Sequence, residues 1–101
     1  MRCWRKLFMI MKQKFRKLTF VKVDRKMPSM MAHFDAGFIG IVDGTYSQIC
    51  GGNNIKSYCL YKVEGDKIVN RISWYNESQL TELEEQDRDK AETMIELYNL
   101  R

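Results

Sequence analysis

The chain has 101 residues, 45% hydrophobic and 30% charged, which fits one small folded soluble domain and excludes a disordered chain. Its three cysteines, Cys3, Cys50 and Cys59, are odd in number and lack CxxC spacing, so they make no disulfide framework and point to a reducing, cytoplasmic setting. The net charge of +4 conceals an asymmetry, because residues 1–26 carry ten Lys or Arg against Asp24 alone while the remainder is net acidic.

The basic end opens with Trp4, Leu7, Phe8, Met11, Phe15 and Leu18 at steps of three and four, the spacing of one apolar helix face. Residues 1–17 are therefore expected to form a basic amphipathic segment. It either packs on the domain or presents Arg2, Arg5, Lys6, Lys12, Lys14, Arg16 and Lys17, with Lys22, Arg25 and Lys26 beyond, to an acidic partner such as nucleic acid, an acidic protein face or anionic lipid. Met9 and Met11 offer alternative starts, which would leave the residues before them as a translated leader. Lys12, Lys14, Arg16 and Lys17 interrupt any apolar run, so no signal peptide is expected. No stretch approaches the roughly 20 apolar residues of a transmembrane helix.

Residues 18–23, LTFVKV, read as the first strand. Pro28 disfavours regular structure around it, and residues 27–37 read as a loop whose Met30, Met31 and Phe34 plug one end of the core or form an exposed Met-rich patch. Residues 38–42 make a short apolar strand, with Gly40 marking a bulge or a close backbone approach. Asp43-Gly44 signals a turn, residues 46–50 read as irregular or strand-like, and Gly51-Gly52-Asn53-Asn54 supplies a sharp reversal.

Residues 56–64 alternate, so that Tyr58 and Leu60 face one way and Cys59, Tyr61 and Val63 the other. A tight hairpin at 64–67 leads to a return strand over 67–75, a single helical turn over 76–80 and a short last strand near 80–83. Residues 82–101 read as one helix, with Ala91, Met94, Ile95 and Tyr98 on a common face. The acids Glu82, Glu84, Glu85, Asp87 and Asp89 crowd its start, where the helix dipole favours them. They read as a solvated face or, alternatively, as a partner site.

Short strands, a long loop after the first and a one-turn helix before the last are the grammar of small SH3-like antiparallel barrels. The residues Met27-Pro28, Met31, His33-Phe34, Gly37, Gly40-Ile41-Val42, Gly51-Gly52, Ser73-Trp74-Tyr75, Glu77 and Leu80 add detail. Together they resemble the small SH3-like proteins often encoded by bacteriophages, most of them of unassigned function. The resemblance covers residues 18–83 and implies a mainly β barrel used for binding, with no catalytic residues to carry over. The expected layout is thus a basic segment at 1–17, a barrel at 18–83 and an acidic helix at 84–101.

The chemistry-bearing residues are few. His33 is the only histidine and has no cysteine near it in sequence, so neither a metal centre nor a Cys-His nucleophile is expected. Cys50 and Cys59 read as small core hydrophobes. Gly51-Gly52 lacks the Lys-Ser/Thr and helix of a phosphate loop. The expectation is a non-enzyme without cofactor. Its site candidates are Tyr46, Tyr58, Tyr61, Trp74 and Tyr75, which either fill the core or line a groove for a peptide or for stacked bases. A protein partner, perceived through that groove and the adjacent loops, is the first functional reading. The second is a nucleic-acid-associated factor whose basic segment contacts phosphates.

Overall fold

The computed structural model describes residues 13–24 and 37–100. The predicted loop residues Met27, Pro28, Met30, Met31, His33 and Phe34 lie outside them, as do Arg2, Arg5, Lys6, Lys12, Arg25, Lys26 and the helix-face residues Trp4, Leu7, Phe8 and Met11.

The described end of the basic segment is not helical; residues 13–18 run through bends and a turn. The cause is visible at Leu18, whose φ of 73° is left-handed and carries neither a helix nor a strand. Its N–H donates to Val42 O at 2.8 Å, and Thr19 N–H closes back on Arg16 O. Strand β1 (Phe20–Val23) therefore starts two residues after the predicted point. Upstream, Phe15 inserts edge-on against the Tyr58 ring at 5.5 Å, and its N–H donates to Tyr58 Oη at 3.1 Å.

Five strands make one antiparallel sheet. After β1 come β2 (Phe38–Thr45), a short helix α1 (Tyr46–Cys50), β3 (Ser57–Glu64), β4 (Lys67–Asn76), a 3₁₀ turn (Glu77–Gln79), β5 (Leu80–Glu82) and helix α2 (Arg88–Asn99). The order across the sheet is β4-β3-β2-β1-β5. The edge strands β4 and β5 do not pair with each other, so the sheet is open and the expected barrel closure is absent from the hydrogen-bonded ladder. Strand β5 pairs with β1 along one edge, and no described strand pairs with its other edge. The edges meet only at the corner where the 3₁₀ turn joins them. That turn is held by a capping box: Asn76 Oδ1 accepts from Ser78 N–H, and Asn76 N–H donates to the buried Gln79.

Strand alternation sorts the apolar residues onto two faces. The inner face gathers Phe15, Val21, Val23, Val42, Tyr58, Leu60, Tyr75 and Leu80. Leu80 of β5 and Tyr75 of β4 share this cluster although their strands lie at opposite edges, so the sheet curls around it. The outer face gathers Phe20, Ile41, Tyr61 and Ile68 under Ala91 and Met94 of α2. The predicted split of Tyr58 and Leu60 from Tyr61 and Val63 is the observed one.

Three irregularities set the curl. Asp43 is an extra residue in β2, between the pairs Val42↔Leu60 and Gly44↔Cys59. Strand β4 carries one extra residue near Ser73-Trp74 and another near Val69. Such bulges bend a strand and increase its twist. The predicted bulge at Gly40 is not there; Gly40 pairs in register with both neighbours, Val21 and Lys62. Its role is the close approach, because an added Cβ would meet Leu60 Cβ and Cδ1 at 3.4 Å. The hairpin at Gly65-Asp66 is as predicted, with Gly65 at the positive φ that such a two-residue turn requires.

The acidic run before α2 is not helical. Leu83 N–H continues the β5 ladder to Phe20 O. Gln86 then presents its side-chain amide to the same residue: Phe20 N–H donates to Oε1 at 2.7 Å, and Nε2 donates to Phe20 O at 2.8 Å. Asp87 caps α2 by accepting from Lys90 N–H. On the other edge strand, Asn70 Oδ1 accepts from Arg71 N–H at 2.9 Å.

Candidate functional site

The five aromatic candidates do not form one groove. Tyr58 and Tyr75 are core residues of the inner face, with 0% and 2% of their surface exposed. Tyr61 is buried on the opposite, outer face, edge-on to Tyr98 of α2 at 5.8 Å. Tyr46 and Trp74 remain at the surface and meet each other, ring centroids 5.0 Å apart and tilted by 55°. Strand alternation turns the neighbours Trp74 and Tyr75 to opposite faces, and the extra residue at Ser73-Trp74 sets Tyr75 as the inward one.

Helix α1 is the element that holds Tyr46 in place, and it replaces the irregular piece expected there. Thr45 and Gln48 form a full capping box, with Gln48 N–H donating to Thr45 Oγ1 at 3.2 Å and Thr45 N–H donating to Gln48 Oε1 at 2.9 Å. Gln13 Nε2 also donates to Gln48 Oε1, tying the basic segment to the same helix. Gly44 makes room, because a Cβ there would lie 3.1 Å from Gln48 Oε1. Tyr46 and Ile49 are each 40% exposed and stand three residues apart on this helix. Both side chains are open to solvent there.

Cys50 corrects another expectation. It is exposed at the end of α1, while only Cys59 is a buried, core-like thiol. Beside Cys59 lies an ion pair: Arg71 Nε and Nη2 both donate to Asp43 Oδ2, at 3.0 and 2.7 Å. The bulge that leaves Asp43 unpaired in the ladder places it for this contact. The guanidinium also lies over the Tyr61 ring, 6.0 Å from its centroid. The Asp43 hydrogen bond raises the Arg71 pKa further above its ordinary value.

Burial raises the Cys59 thiol and the Tyr58 and Tyr61 phenols above their usual values. The sign follows from linkage. Above the ordinary thiol pKa of about 8.5, and more so above that of tyrosine at about 10, the unfolded chain releases protons that the folded chain retains. Stability is therefore full at neutral pH and is lost as pH rises past about 8.5, by at most about 1.4 kcal/mol per pH unit for each group. Urea midpoints measured across pH 7 to about 10.5 check this. A Cys59→Ala chain should stay level until the tyrosines begin to ionise.

Of the basic candidates, Lys14, Arg16, Lys17 and Lys22 are described, and all are exposed. Lys14 and Arg16 converge with Arg88 on a cleft of about 160 Å³ that Leu18, Thr19, Glu82 and Gln86 also line. Arg88 is steadied there by donating to Lys17 O at 3.0 Å. Lys22 stands apart from this cleft. Arg88 had no sequence signal beyond its charge, because only the fold brings the start of α2 beside residues 14–19.

Among the described residues no group of three or more His, Cys, Asp or Glu is placed to hold a metal ion, and no helix is long and apolar enough to cross a membrane. Comparison with known proteins returns no matching family model, no matching curated protein and no matching solved structure.

Proposed function

We propose that this chain is a non-catalytic protein-interaction module, an SH3-like barrel in its architecture, whose contact surface is built around Tyr46 and Trp74. The observation that carries the reading is that surface pair: two aromatic rings in contact, one 40% exposed, on a helix fixed by a complete capping box. Tyr and Trp are the residues that most often anchor interfaces, since each buries a large apolar area at small entropic cost. The strand order, the hairpin between β3 and β4 and the 3₁₀ turn before β5 support the SH3-like assignment. The resemblance to phage-encoded barrels makes a host-cell protein in the cytoplasm the expected partner, and the chain a phage accessory factor.

The test compares proteins retained from host lysate by the wild-type chain and by a Tyr46→Ala/Trp74→Ala variant matched for thermal stability. Partners held by the wild type and lost from the variant are the expected result. An identical set from both overturns the assignment of this surface.

One observation favours a second reading, a nucleic-acid-associated factor. Lys14, Arg16 and Arg88 meet on one cleft, and convergent cations are what phosphate contacts need. Gel retardation of DNA or RNA at low salt, abolished by Lys14→Glu/Arg16→Glu, would select it. Absence of retardation at low salt removes it.

A further inference from the structure

Helix α1 has five residues and buries none of them. Short helices draw their stability from packing an apolar face, yet Tyr46 and Ile49 are each 40% exposed. With the half-buried Trp74, whose ring meets that of Tyr46, they make one apolar patch. No charged side chain belongs to α1 or to residues 51–55 after it. The chain itself arrives at this patch. Gln13, the first described residue, donates through Nε2 to Gln48 Oε1 at 3.4 Å and to Phe15 O at 2.8 Å. Gln48 and Ile49 lie side by side over Gly44, where an added Cβ would meet Gln48 Oε1 at 3.1 Å and Ile49 Cδ1 at 3.5 Å. Residues 1–12 are therefore tethered beside Ile49. They carry Trp4, Leu7, Phe8 and Met11 at steps of three and four.

We infer that residues 1–12 dock back on their own chain, seating Trp4, Leu7, Phe8 and Met11 on Tyr46, Ile49 and Trp74. Connectivity selects this occupant. A tethered segment is present at an effective concentration of about millimolar, whatever the concentration of the protein. Twelve residues span roughly 18 Å as a helix and about 40 Å when extended, and either length covers a patch that begins at the tether. The hydrogen bonds of Gln13 tie the segment to none of the other exposed apolar side chains, Ile39, Leu97 and Leu100. Arg2, Arg5, Lys6 and Lys12 meet no carboxylate on α1 or residues 51–55, so apolar contact is what holds the segment. A partner of the Tyr46–Trp74 surface has to displace it, a consequence that rests on the function proposed above; the docking itself does not.

The experiment uses the full chain with Cys50→Ser, so that Cys3 carries a nitroxide label while Cys59 is buried. Paramagnetic broadening is read on isotope-labelled protein against the reduced label. The amides of Tyr46–Ile49 and the Trp74 indole should lose intensity, at high salt as at low salt. Leu7→Asp/Phe8→Asp and, separately, Ile49→Asp should each restore most of it, and Leu97→Asp should restore none. Ile49 and Leu97 are exposed, and unchanged amide dispersion of the strands separates lost docking from lost fold. Broadening that survives both Leu7→Asp/Phe8→Asp and Ile49→Asp reports the tether alone and overturns the proposal. Broadening that vanishes at high salt, that centres on Ile39 or Leu97, or that is absent altogether overturns it as well. Broadening passed from a spin-labelled chain to a separate isotope-labelled one, and fading on dilution, would assign the patch to a second copy and overturn the docking within one chain.

Discussion

Leu60→Ala should remove a large share of this protein's stability, about 2–5 kcal/mol, out of the roughly 5–15 kcal/mol that domains of this kind possess. Leu60 is fully buried in β3. It touches the inner cluster from the middle of the sheet, beside Val42, Tyr58 and Tyr75. The cavity left by truncation lies between strands paired on both sides, so it can collapse only slightly. A urea titration measures the loss as a lower midpoint with an unchanged slope.

Gly40 gives the same experiment a second arm. An alanine Cβ at that position would crowd Leu60 Cδ1 at 3.4 Å. Gly40→Ala should therefore destabilise the wild-type chain, and less so once Leu60 is alanine, because Cδ1 is gone while the 3.4 Å approaches to the residue-60 Cβ and to Tyr61 O remain. The two substitutions should couple by about 0.5–3 kcal/mol, with the double variant more stable than the sum of the singles. Additive effects would mean that the glycine is there for the strand backbone and not for its neighbour.

Met94→Asp should undock α2. Met94 is 5% exposed and sits with Ala91 against Phe20, Ile41, Tyr61 and Ile68. The substitution forfeits about 1.5–3 kcal/mol of apolar burial. It also sets a carboxylate against the apolar side chains of Phe20, Ile41, Tyr61 and Ile68, which costs further. The helix has 12 residues, and an isolated helix of that length is marginal in water, so once undocked it should also unwind. Far-UV circular dichroism should lose helical signal, and hydrogen exchange should lose protection in residues 91–99 while the inner-face strands keep more of theirs. Leu97→Asp is the contrast. Leu97 is 61% exposed on the same helix and should change little. Equal damage from both would show that helix propensity, not docking, holds α2.

The sequence was most legible where chemistry is local. Gly65 and the residues around it specify a two-residue hairpin, and Asn76 with Gln79 brackets a single turn, so the elements around them read correctly. Strand periodicity also sorted Tyr58 and Leu60 from Tyr61 and Val63. The legibility failed where partners distant in sequence decide. The acidic run 82–87 has helix-like composition, but β1 claims it first, through the ladder to Glu82 and Leu83 and the amide of Gln86. Helix α1 did have a signal, Thr45-x-x-Gln48, which the glycines on either side obscured.

The aromatic site was legible only in residue type. Alternation predicts that neighbours in a strand diverge, but not which of Trp74 and Tyr75 goes inward. A bulge settles that, and no residue pattern announced it. Arg88 joins Lys14 and Arg16 only through tertiary structure.

The carboxamides of Gln86 and Asn70 share a consequence for the molecule's behaviour in a crowded solution. Each takes up main-chain hydrogen-bonding groups at a border of the sheet, at Phe20 in one case and Arg71 in the other. A stray polypeptide seeking a template for fibril growth finds those positions already engaged by side chains. At those two positions an added strand would first have to displace an uncharged side-chain amide.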